Sequence, residues 1–257
     1  MIKLTIINQK GGVGKSTTAL AISQYYTAKG KRVLLVDLDA QGNSTYSTAG
    51  EVQKHGVLGV LLNPKTIKEE IFHQPQGTEQ PDILPSTTQL ANADTLLLNE
   101  VSKEYRLKIA LEAIEGNYDL CVIDTPPALS VLTINALVAS NYCLVPAIAD
   151  IYSIQGISQL NETIKVVKQY CNPNLEVLGV VLNKYKQAQI LSKGVAGELE
   201  ELAKALGTKL LKAKIRESVA INESALKRVN MFAYKPNCNA CKDYEELIKE
   251  IGVLKSE

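Results

Sequence analysis

The sequence predicts an α/β protein in which a mainly parallel, twisted sheet carries helices on both faces. Three observations lead to this fold class. Short apolar runs alternate along the chain with segments of helical periodicity. Most of the apolar runs lack the polar alternation of half-exposed strands, which is typical of strands buried on both faces. The segments between them are long enough to form crossover helices between parallel strands.

Six runs are predicted as strands. In chain order they are Ile2–Ile7, Val33–Asp37, Leu120–Asp124, Cys143–Pro146, Val177–Asn183 and Lys209–Ile215. Two of the segments between them, Ser16–Lys29 and Ile154–Tyr170, have the length and period of helices.

The pattern weakens between Gly42 and Pro85, where glycine, proline, asparagine and glutamine are scattered among short apolar pieces such as Val57–Leu62. We expect a surface subregion there rather than a separate domain. Because no flexible linker, repeat or low-complexity tract divides the sequence, residues 1–257 are expected to form one domain.

Composition narrows the classes of function. With 28 basic and 27 acidic residues, the overall field is weak, so attraction to DNA or membranes would need a local patch. Without a signal-like or membrane-spanning run, a reducing cytoplasm with free thiols is expected for the five cysteines. Cys238 and Cys241 have metal-like spacing, but a second ligand pair is missing from the sequence. Ordinary thiols are therefore favoured over a metal or redox role.

The strongest motif is a glycine-rich loop that follows the first strand and opens a helix. It reads Lys10-Gly11-Gly12-Val13-Gly14-Lys15-Ser16-Thr17. Glycines let successive N–H groups and the helix N-terminus surround a polyphosphate. Lys15 is predicted to reach the β and γ phosphates, Ser16 to bind Mg²⁺, and Thr17 to donate to a more remote phosphate oxygen. The loop predicts ATP and Mg²⁺ as cofactors, with hydrolysis as the reaction.

Aspartates at two strand ends support the same site. Asp37 and Asp39 follow the second strand, and Asp124 ends the third predicted one. In a parallel sheet the carboxyl ends of the strands meet at one edge, so these side chains should face the phosphate loop. Asp124 has the position of a carboxylate that holds Mg²⁺, through water.

Lys10 distinguishes this loop from ordinary phosphate loops, and with it the sequence resembles the deviant Walker A ATPases, specifically the ParA partition ATPases. The segments that carry this resemblance are Asn8–Thr18, Val36–Ser44, Asp124–Pro127, Asn183–Tyr185 and Asp243-Tyr244-x-x-Leu247. They extend along nearly the whole chain, and the resemblance implies the fold of a P-loop NTPase.

The resemblance also implies roles that spacing alone does not give. Lys10 would reach across an ATP-sandwich homodimer to the partner's phosphates, and Asp39 would position the attacking water. Asp37 would lie nearer Mg²⁺, and Asn183 would contact adenine. Catalysis is thus assigned to Lys10, Lys15 and Asp39, and Mg²⁺ binding to Ser16, Asp37 and Asp124.

ParA-like ATPases bind double-stranded DNA without sequence preference in the ATP state. Residues 184–235 hold 11 of the 28 basic residues but only 5 of the 27 acidic ones, which favours a phosphate-binding strip there. The candidate contacts are Lys214, Arg216, Lys227 and Arg228. Around Arg216 the amino-acid sequence departs from the family pattern. A solvated lysine-rich face is the alternative interpretation.

The resemblance to small ParA-like proteins that lack a helix-turn-helix extension implies a centromere-binding ParB-like partner that stimulates otherwise slow hydrolysis, and a nucleoid-associated cytoplasmic protein. Two alternatives remain open. A related positioning ATPase would act on a protein cargo or, as in MinD-like proteins, on a membrane, although the tail Asp243–Glu257 is mixed in charge. An iron–sulfur reductase or metallochaperone would need bridging cysteines, for which Cys238 and Cys241 are weak candidates.

Overall fold

The computed structural model of the protein describes residues 1–185 and 193–254. Within these residues, seven strands form one sheet. They are β1 (Ile2–Ile6), β2 (Val33–Asp37), β3 (Asp82–Leu84), β4 (Leu120–Asp124), β5 (Tyr142–Ala147), β6 (Glu176–Tyr185) and β7 (Leu210–Arg216).

The strands lie in the order β3-β2-β4-β1-β5-β6-β7, and all of the paired neighbours are parallel. The register places Asp124 of β4 beside Asp37 of β2 on one side and Ile6 of β1 on the other. Two acidic strand ends are therefore adjacent, and both lie next to the strand that leads into the glycine-rich loop.

Helices connect the strands and cover the sheet. In the described chain they are α1 (Lys15–Ala28), α2 (Asn43–Thr48), α3 (Gly56–Leu62), α4 (Ile67–Glu70), α5 (Ala93–Leu96), α6 (Arg106–Glu112), α7 (Val131–Ala139), α8 (Ile151–Tyr170), α9 (Lys193–Ala205), α10 (Val219–Lys227), α11 (Met231–Tyr234) and α12 (Asn239–Ile251). Short 3₁₀ turns occupy Pro64–Thr66, Thr88–Asn92 and Lys103–Tyr105.

The apolar core has two layers, one on each face of the sheet. On one face, α1 and α12 pack against alternate side chains of β1, β2, β4 and the strands beyond, with Tyr244 as the largest fully buried side chain. On the other face, α3, α6 and α7 cover β2 and β4, while α7, α8 and α9 cover β5 and β6. Helices on both faces of a parallel sheet confirm the predicted fold class.

The six predicted strands are all present, with ends that differ by up to two residues. The expectation of a surface subregion at Gly42–Pro85 is wrong. This segment contains β3, which pairs with β2, and it buries side chains such as Val57, Leu61 and Ile83 in the core. Scattered polar residues obscured the short apolar pieces, whose burial depends on contacts with distant strands.

Gly56 gives a sharp test of packing in this segment. It begins α3 with a positive φ of 61°, and an added Cβ would lie 2.1 Å from the carbonyl oxygen of Pro85. The matched control is Gly30, whose φ is also positive at 75° but whose Cβ would meet open space. We expect Gly56→Ala to lower the free energy of unfolding by about 1–3 kcal/mol more than Gly30→Ala, because only the former adds a clash to the backbone strain. Urea denaturation measures both, and equal losses would contradict the clash.

Candidate nucleotide-binding site

The glycine-rich loop connects β1 to α1 and leaves the start of that helix uncapped by any side chain. Gly14 is the N-cap of α1, with a φ of 91°, and Gly12 has a φ of 74°. Both values lie in the left-handed region that glycine adopts without strain. The first N–H groups of α1 have no intrahelical partner, so they and the helix dipole form an anion-binding site.

Asn183, near the end of β6, is hydrogen-bonded to the backbone of this loop. Its amide nitrogen donates to the carbonyl of Val13 at 2.9 Å and to Oγ1 of Thr18 at 3.1 Å. A Cβ on Gly14 would lie 2.6 Å from the same nitrogen, so the third glycine allows the close approach. The side-chain oxygen Oδ1 of Asn183 is buried without a hydrogen-bond partner in the described chain. The amide nitrogen of Asn183 is thus bound to the loop, while its amide oxygen has no hydrogen-bond partner among the described residues.

Lys15 begins α1 and is buried. Its ammonium donates to the carbonyl of Lys10 at 3.1 Å. Burial lowers the pKa of Lys15, and the nearby charges of Asp124 and Asp39 oppose that shift. A buried ammonium whose hydrogen bond goes to a backbone carbonyl is poised for stronger, anionic acceptors such as phosphate oxygens.

Asp37 and Asp124 form a buried acidic pair at the adjoining ends of β2 and β4. Burial raises the pKa of both carboxyl groups, and for Asp37 the charge of Asp124 raises it further. Two like charges out of water are costly unless a cation accompanies them. Oδ1 of Asp124 is moreover buried without a hydrogen-bond partner among the described residues. These features fit a site for Mg²⁺ or its bound water.

The start of α2 holds this acidic pair in place. Thr45 donates to Asp37 Oδ2 from both its backbone N–H and its hydroxyl, each at 2.8 Å. The hydroxyl of Ser44 donates to Asp124 Oδ2 at 2.7 Å. Asp39 lies two residues beyond Asp37 and donates its N–H to Oδ1 of that residue at 3.1 Å. The sequence alone assigns no role to Ser44 and Thr45, although both follow closely after Asp39 and Gly42 in the chain.

Lys10 forms an ion pair with Asp150, which caps α8 and accepts the N–H of Ser153 at 2.8 Å. The pKa of Asp150 lies below its usual value, since burial, which raises it, is outweighed by the hydrogen bond from Lys10 and the cap. The Lys10 side chain is 20% exposed and that of Asp150 is 35% exposed. In the single chain, the lysine at the start of the loop is therefore held by a carboxylate of its own subunit.

A cavity of about 350 Å³ lies against the loop. The predicted site residues that line it are Gly12, Gly14, Lys15, Ser16, Thr17, Asp39, Asn183 and Arg216. Gly11 is exposed on the loop, Val13 is buried behind it, and Lys10, Asp37 and Asp124 are not among the lining residues. Tyr244, which sequence reasoning left without a role, also lines the cavity, and its hydroxyl lies 3.2 Å from Oγ1 of Thr18.

Comparisons with known proteins identify the family. A family model described as an AAA domain matches residues 1–177. The chain is 36% identical to the sporulation initiation inhibitor protein Soj of Bacillus subtilis, over 97% of each chain. It is also 36% identical to the chromosome partitioning protein ParA of Caulobacter vibrioides, over 96% of this chain and 92% of that protein. The chain belongs to the ParA/Soj family of P-loop ATPases.

Solved structures of similar proteins show the same fold with nucleotide and magnesium bound. A Mycobacterium smegmatis protein described as a cobyrinic acid a,c-diamide synthase, with bound ADP and magnesium, is 34% identical and has a TM-score of 0.76, with 92% of each chain covered. The predicted cofactors ATP and Mg²⁺ are confirmed, and with them the coarse assignment of an ATPase. MinD of Pyrococcus horikoshii, complexed with Mg-ADP, covers 100% of both chains at 21% identity and a TM-score of 0.76, which shows a shared fold.

The four candidate DNA-binding residues of this ParA/Soj family member have different surroundings. Arg216 is bound through Nε and Nη2 to Asp243, at 2.9 and 2.6 Å. The other three rest on tyrosine rings. The ammonium groups of Lys214 and Lys227 lie 4.9 and 4.6 Å from the ring centroids of Tyr185 and Tyr234, and the guanidinium of Arg228 lies 4.8 Å from that of Tyr46. Residues 186–192 of the basic segment lie outside the described residues.

Three further observations concern the alternatives. No helix in the described part of the chain is long and apolar enough to cross a membrane. The apolar residues of α12, including Tyr244, Leu247 and Ile248, are buried against the sheet, while residues 255–257 of the tail lie outside the described residues. Among the residues described, no group of three or more His, Cys, Asp or Glu side chains could hold a metal ion.

Proposed function

We propose that this protein is a DNA-partition ATPase that switches between an ATP-bound, DNA-binding dimer and a released form. The observation that carries the proposal is the state of Lys10. It belongs to the phosphate loop, yet its ammonium is paired with Asp150 outside the residues that line the cavity. From this position the Lys10 ammonium would reach the phosphates bound by a second subunit. That contact would make dimerisation depend on ATP.

The residues of the site divide the proposed work. The phosphates would be bound by the uncapped start of α1, by Lys15 and by Thr17. The side-chain amide of Asn183 would contact adenine. Ser16, Asp37 and Asp124 would hold Mg²⁺, which when bound neutralises charge that develops on the transferred phosphoryl group. Asp39, whose Oδ1 already accepts the N–H of Gln41 at 3.0 Å, would orient the attacking water.

The names of the relatives support the cellular side of the proposal. The Caulobacter relative is named as a chromosome partitioning protein, and the similarity to it covers 96% of this chain. We infer that the ATP dimer binds double-stranded DNA without sequence preference in the bacterial cytoplasm, on the nucleoid. A ParB-like centromere-binding protein would stimulate hydrolysis by supplying in trans an arginine that stabilises charge on the transferred phosphoryl group, so hydrolysis without this partner would be slow.

The alternative is a positioning ATPase of MinD type, which would act on a protein cargo or a membrane surface. The similarity in fold to MinD favours it. Burial of the apolar face of α12 disfavours the membrane version, since that face is already covered by the sheet. Binding to anionic lipid vesicles, measured by sedimentation with ATP and Mg²⁺, tests the membrane version.

The first test is binding to a random duplex with no nucleotide, ADP or ATP, with Mg²⁺ at fixed moderate salt, because phosphate contacts make such affinity strongly salt-dependent. Tight binding only with ATP, prolonged in Asp39→Ala, is the expected result. ATP-dependent dimers without DNA affinity would contradict the DNA function and favour the MinD-like alternative.

The candidate DNA contacts are tested with Lys214→Glu and Lys227→Glu, two lysines that rest on tyrosine rings. We expect each change to weaken DNA binding and to reduce the salt dependence by about one counterion, with ATP binding unchanged. Lys165→Glu, on the exposed surface of α8, is the matched control. Arg216→Glu is less informative because it would place a second carboxylate against Asp243. Unchanged DNA affinity in both variants would remove these lysines from the interface.

A further inference from the structure

Cys238 and Cys241 form a pair of thiols at the start of α12. Cys238 is the N-cap of this 13-residue helix, and its sulfur accepts the N–H of Cys241 at 3.2 Å. The two Sγ atoms are 3.0 Å apart. Cys121, Cys143 and Cys171 lie elsewhere in the fold, the first two fully buried. The pair therefore stands alone as a site where two described thiols are in contact.

The two thiols differ in their surroundings. Cys238 is partly exposed, and its sulfur lies at the N-terminus of α12, where it accepts the N–H of Cys241. The thiol of Cys241 is buried, and it donates to the carbonyl of Lys235 at 3.2 Å and to that of Met231 at 3.5 Å. Burial raises the pKa of Cys241, and so does its hydrogen bond with Cys238. One sulfur is thus accessible to an external reactant, and the other is shielded behind it.

We propose that Cys238 and Cys241 are a dithiol–disulfide exchange site that reacts with low-molecular-weight disulfides of the glutathione type. The Cys238 thiolate attacks one sulfur of the external disulfide, forms a mixed disulfide and releases one thiol. Cys241 then loses its proton and attacks the Cys238 sulfur, which expels the second thiol. Two cysteine thiols are oxidised to one disulfide, and the external disulfide is reduced to two thiols.

The position of the pair connects it to the nucleotide site. Asp243, two residues after Cys241, accepts hydrogen bonds from Arg216, and the next residue, Tyr244, lines the cavity beside Thr18. Disulfide formation removes the S–H donor of Cys241, so the carbonyls of Met231 and Lys235 lose their contact with it. The segment before α12 is therefore expected to loosen on oxidation. The exchange chemistry itself does not depend on the proposed partition function.

The test uses the full chain equilibrated in buffers of increasing oxidised-to-reduced glutathione ratio, followed by alkylation and peptide mass spectrometry. We expect Cys238 and Cys241 to become joined and to be freed again by dithiothreitol. Cys241→Ser should trap one glutathione on Cys238, because the attack that expels it is lost, whereas Cys238→Ser should form neither product. Serine keeps an N-cap acceptor at position 238, so this variant should fold. Cys171→Ser is the control and should retain the pair.

Three results would overturn the proposal. Cys238 and Cys241 could both stay reduced, and so be fully alkylated afterwards, at the most oxidising ratio, while Cys171 takes up glutathione. Cys241→Ser could fail to trap glutathione although its thermal unfolding matches that of the unmodified protein. Alternatively, both thiols could be protected by bound iron or zinc, with protection removed by a chelator, which would assign the pair to a metal site.

Discussion

Lys10→Ala is expected to lower ATP hydrolysis by about 10³-fold, which is the lower range for removing a cation supplied to the transferred phosphoryl group. ATP binding by the monomer should persist, because the single-chain structure directs the Lys10 ammonium to Asp150 and leaves the cavity to Lys15 and the start of α1. Single-turnover hydrolysis and nucleotide affinity, measured on the same samples, separate the two effects. Loss of ATP affinity equal to the loss of rate would mean that Lys10 serves its own subunit's nucleotide.

The matched variant is Asp150→Asn, which removes the negative charge paired with Lys10 but keeps a residue that caps helices well. A partly exposed ion pair contributes about 0.2–1 kcal/mol, so its release should favour the ATP dimer by up to about fivefold. Analytical ultracentrifugation with ATP measures this shift. Lys10→Ala should instead weaken the ATP dimer, because it removes the proposed contact with the partner's phosphates. Opposite effects of the two variants on dimerisation would distinguish competition for Lys10 from general damage to the loop. Weaker dimerisation in Asp150→Asn would show that the carboxylate acts in the dimer itself.

The parts of the site that could be predicted from the sequence are those encoded over short distances along the chain. The glycine spacing fixed the loop, and two strands that each end in aspartate placed Asp37 and Asp124 at one edge of a parallel sheet. The third strand, β3, escaped prediction because its three residues lie in a stretch of turn-like composition. Its pairing with β2 and a bridge between Ile83 and Phe72 distinguish it from a loop.

The contacts that could not be predicted join residues far apart in sequence. Asn183 reaches Val13 across 170 positions, and Tyr244 reaches Thr18 across 226. Periodicity places each residue on a helix or strand, but it does not give the side-chain direction or the final packing. Arg216 illustrates the consequence, because a basic residue suited to phosphate contacts is bound to Asp243 in the structure.

Asp124→Asn should stabilise the nucleotide-free protein at pH 8 while removing its response to Mg²⁺. The carboxyl groups of Asp37 and Asp124 have raised pKa values because burial, and for Asp37 the charge of its neighbour, disfavour ionisation. The folded state therefore binds these protons more tightly than the unfolded state does. Stability falls as pH rises from the unfolded pKa through the raised folded value, and the penalty is complete above it.

Removing one of the two charges relieves that penalty. We expect the melting temperature of Asp124→Asn to exceed that of the wild type at pH 8 by about 2–8 °C, equivalent to about 1–2 kcal/mol for a chain of this size. The difference should shrink toward pH 5, where the wild-type carboxyls hold their protons. Adding ADP and Mg²⁺ should stabilise the wild type by about 2.7 kcal/mol at a hundredfold excess over its dissociation constant. The Mg²⁺-dependent part of that gain should be absent in the variant.

Asp243→Asn is the control with the opposite sign. Asp243 is also buried, with 7% of its side chain exposed, but its neighbour is the guanidinium of Arg216 rather than another carboxylate. Its removal should destabilise the protein by about 1–3 kcal/mol, at the low end because Arg216 is 40% exposed. Differential scanning fluorimetry across pH 5–8 measures both variants together. If Asp124→Asn also lowered the melting temperature at every pH, the carboxylate would be a net stabiliser of the empty fold, and the two aspartates could not be a cation site held open at a cost in stability.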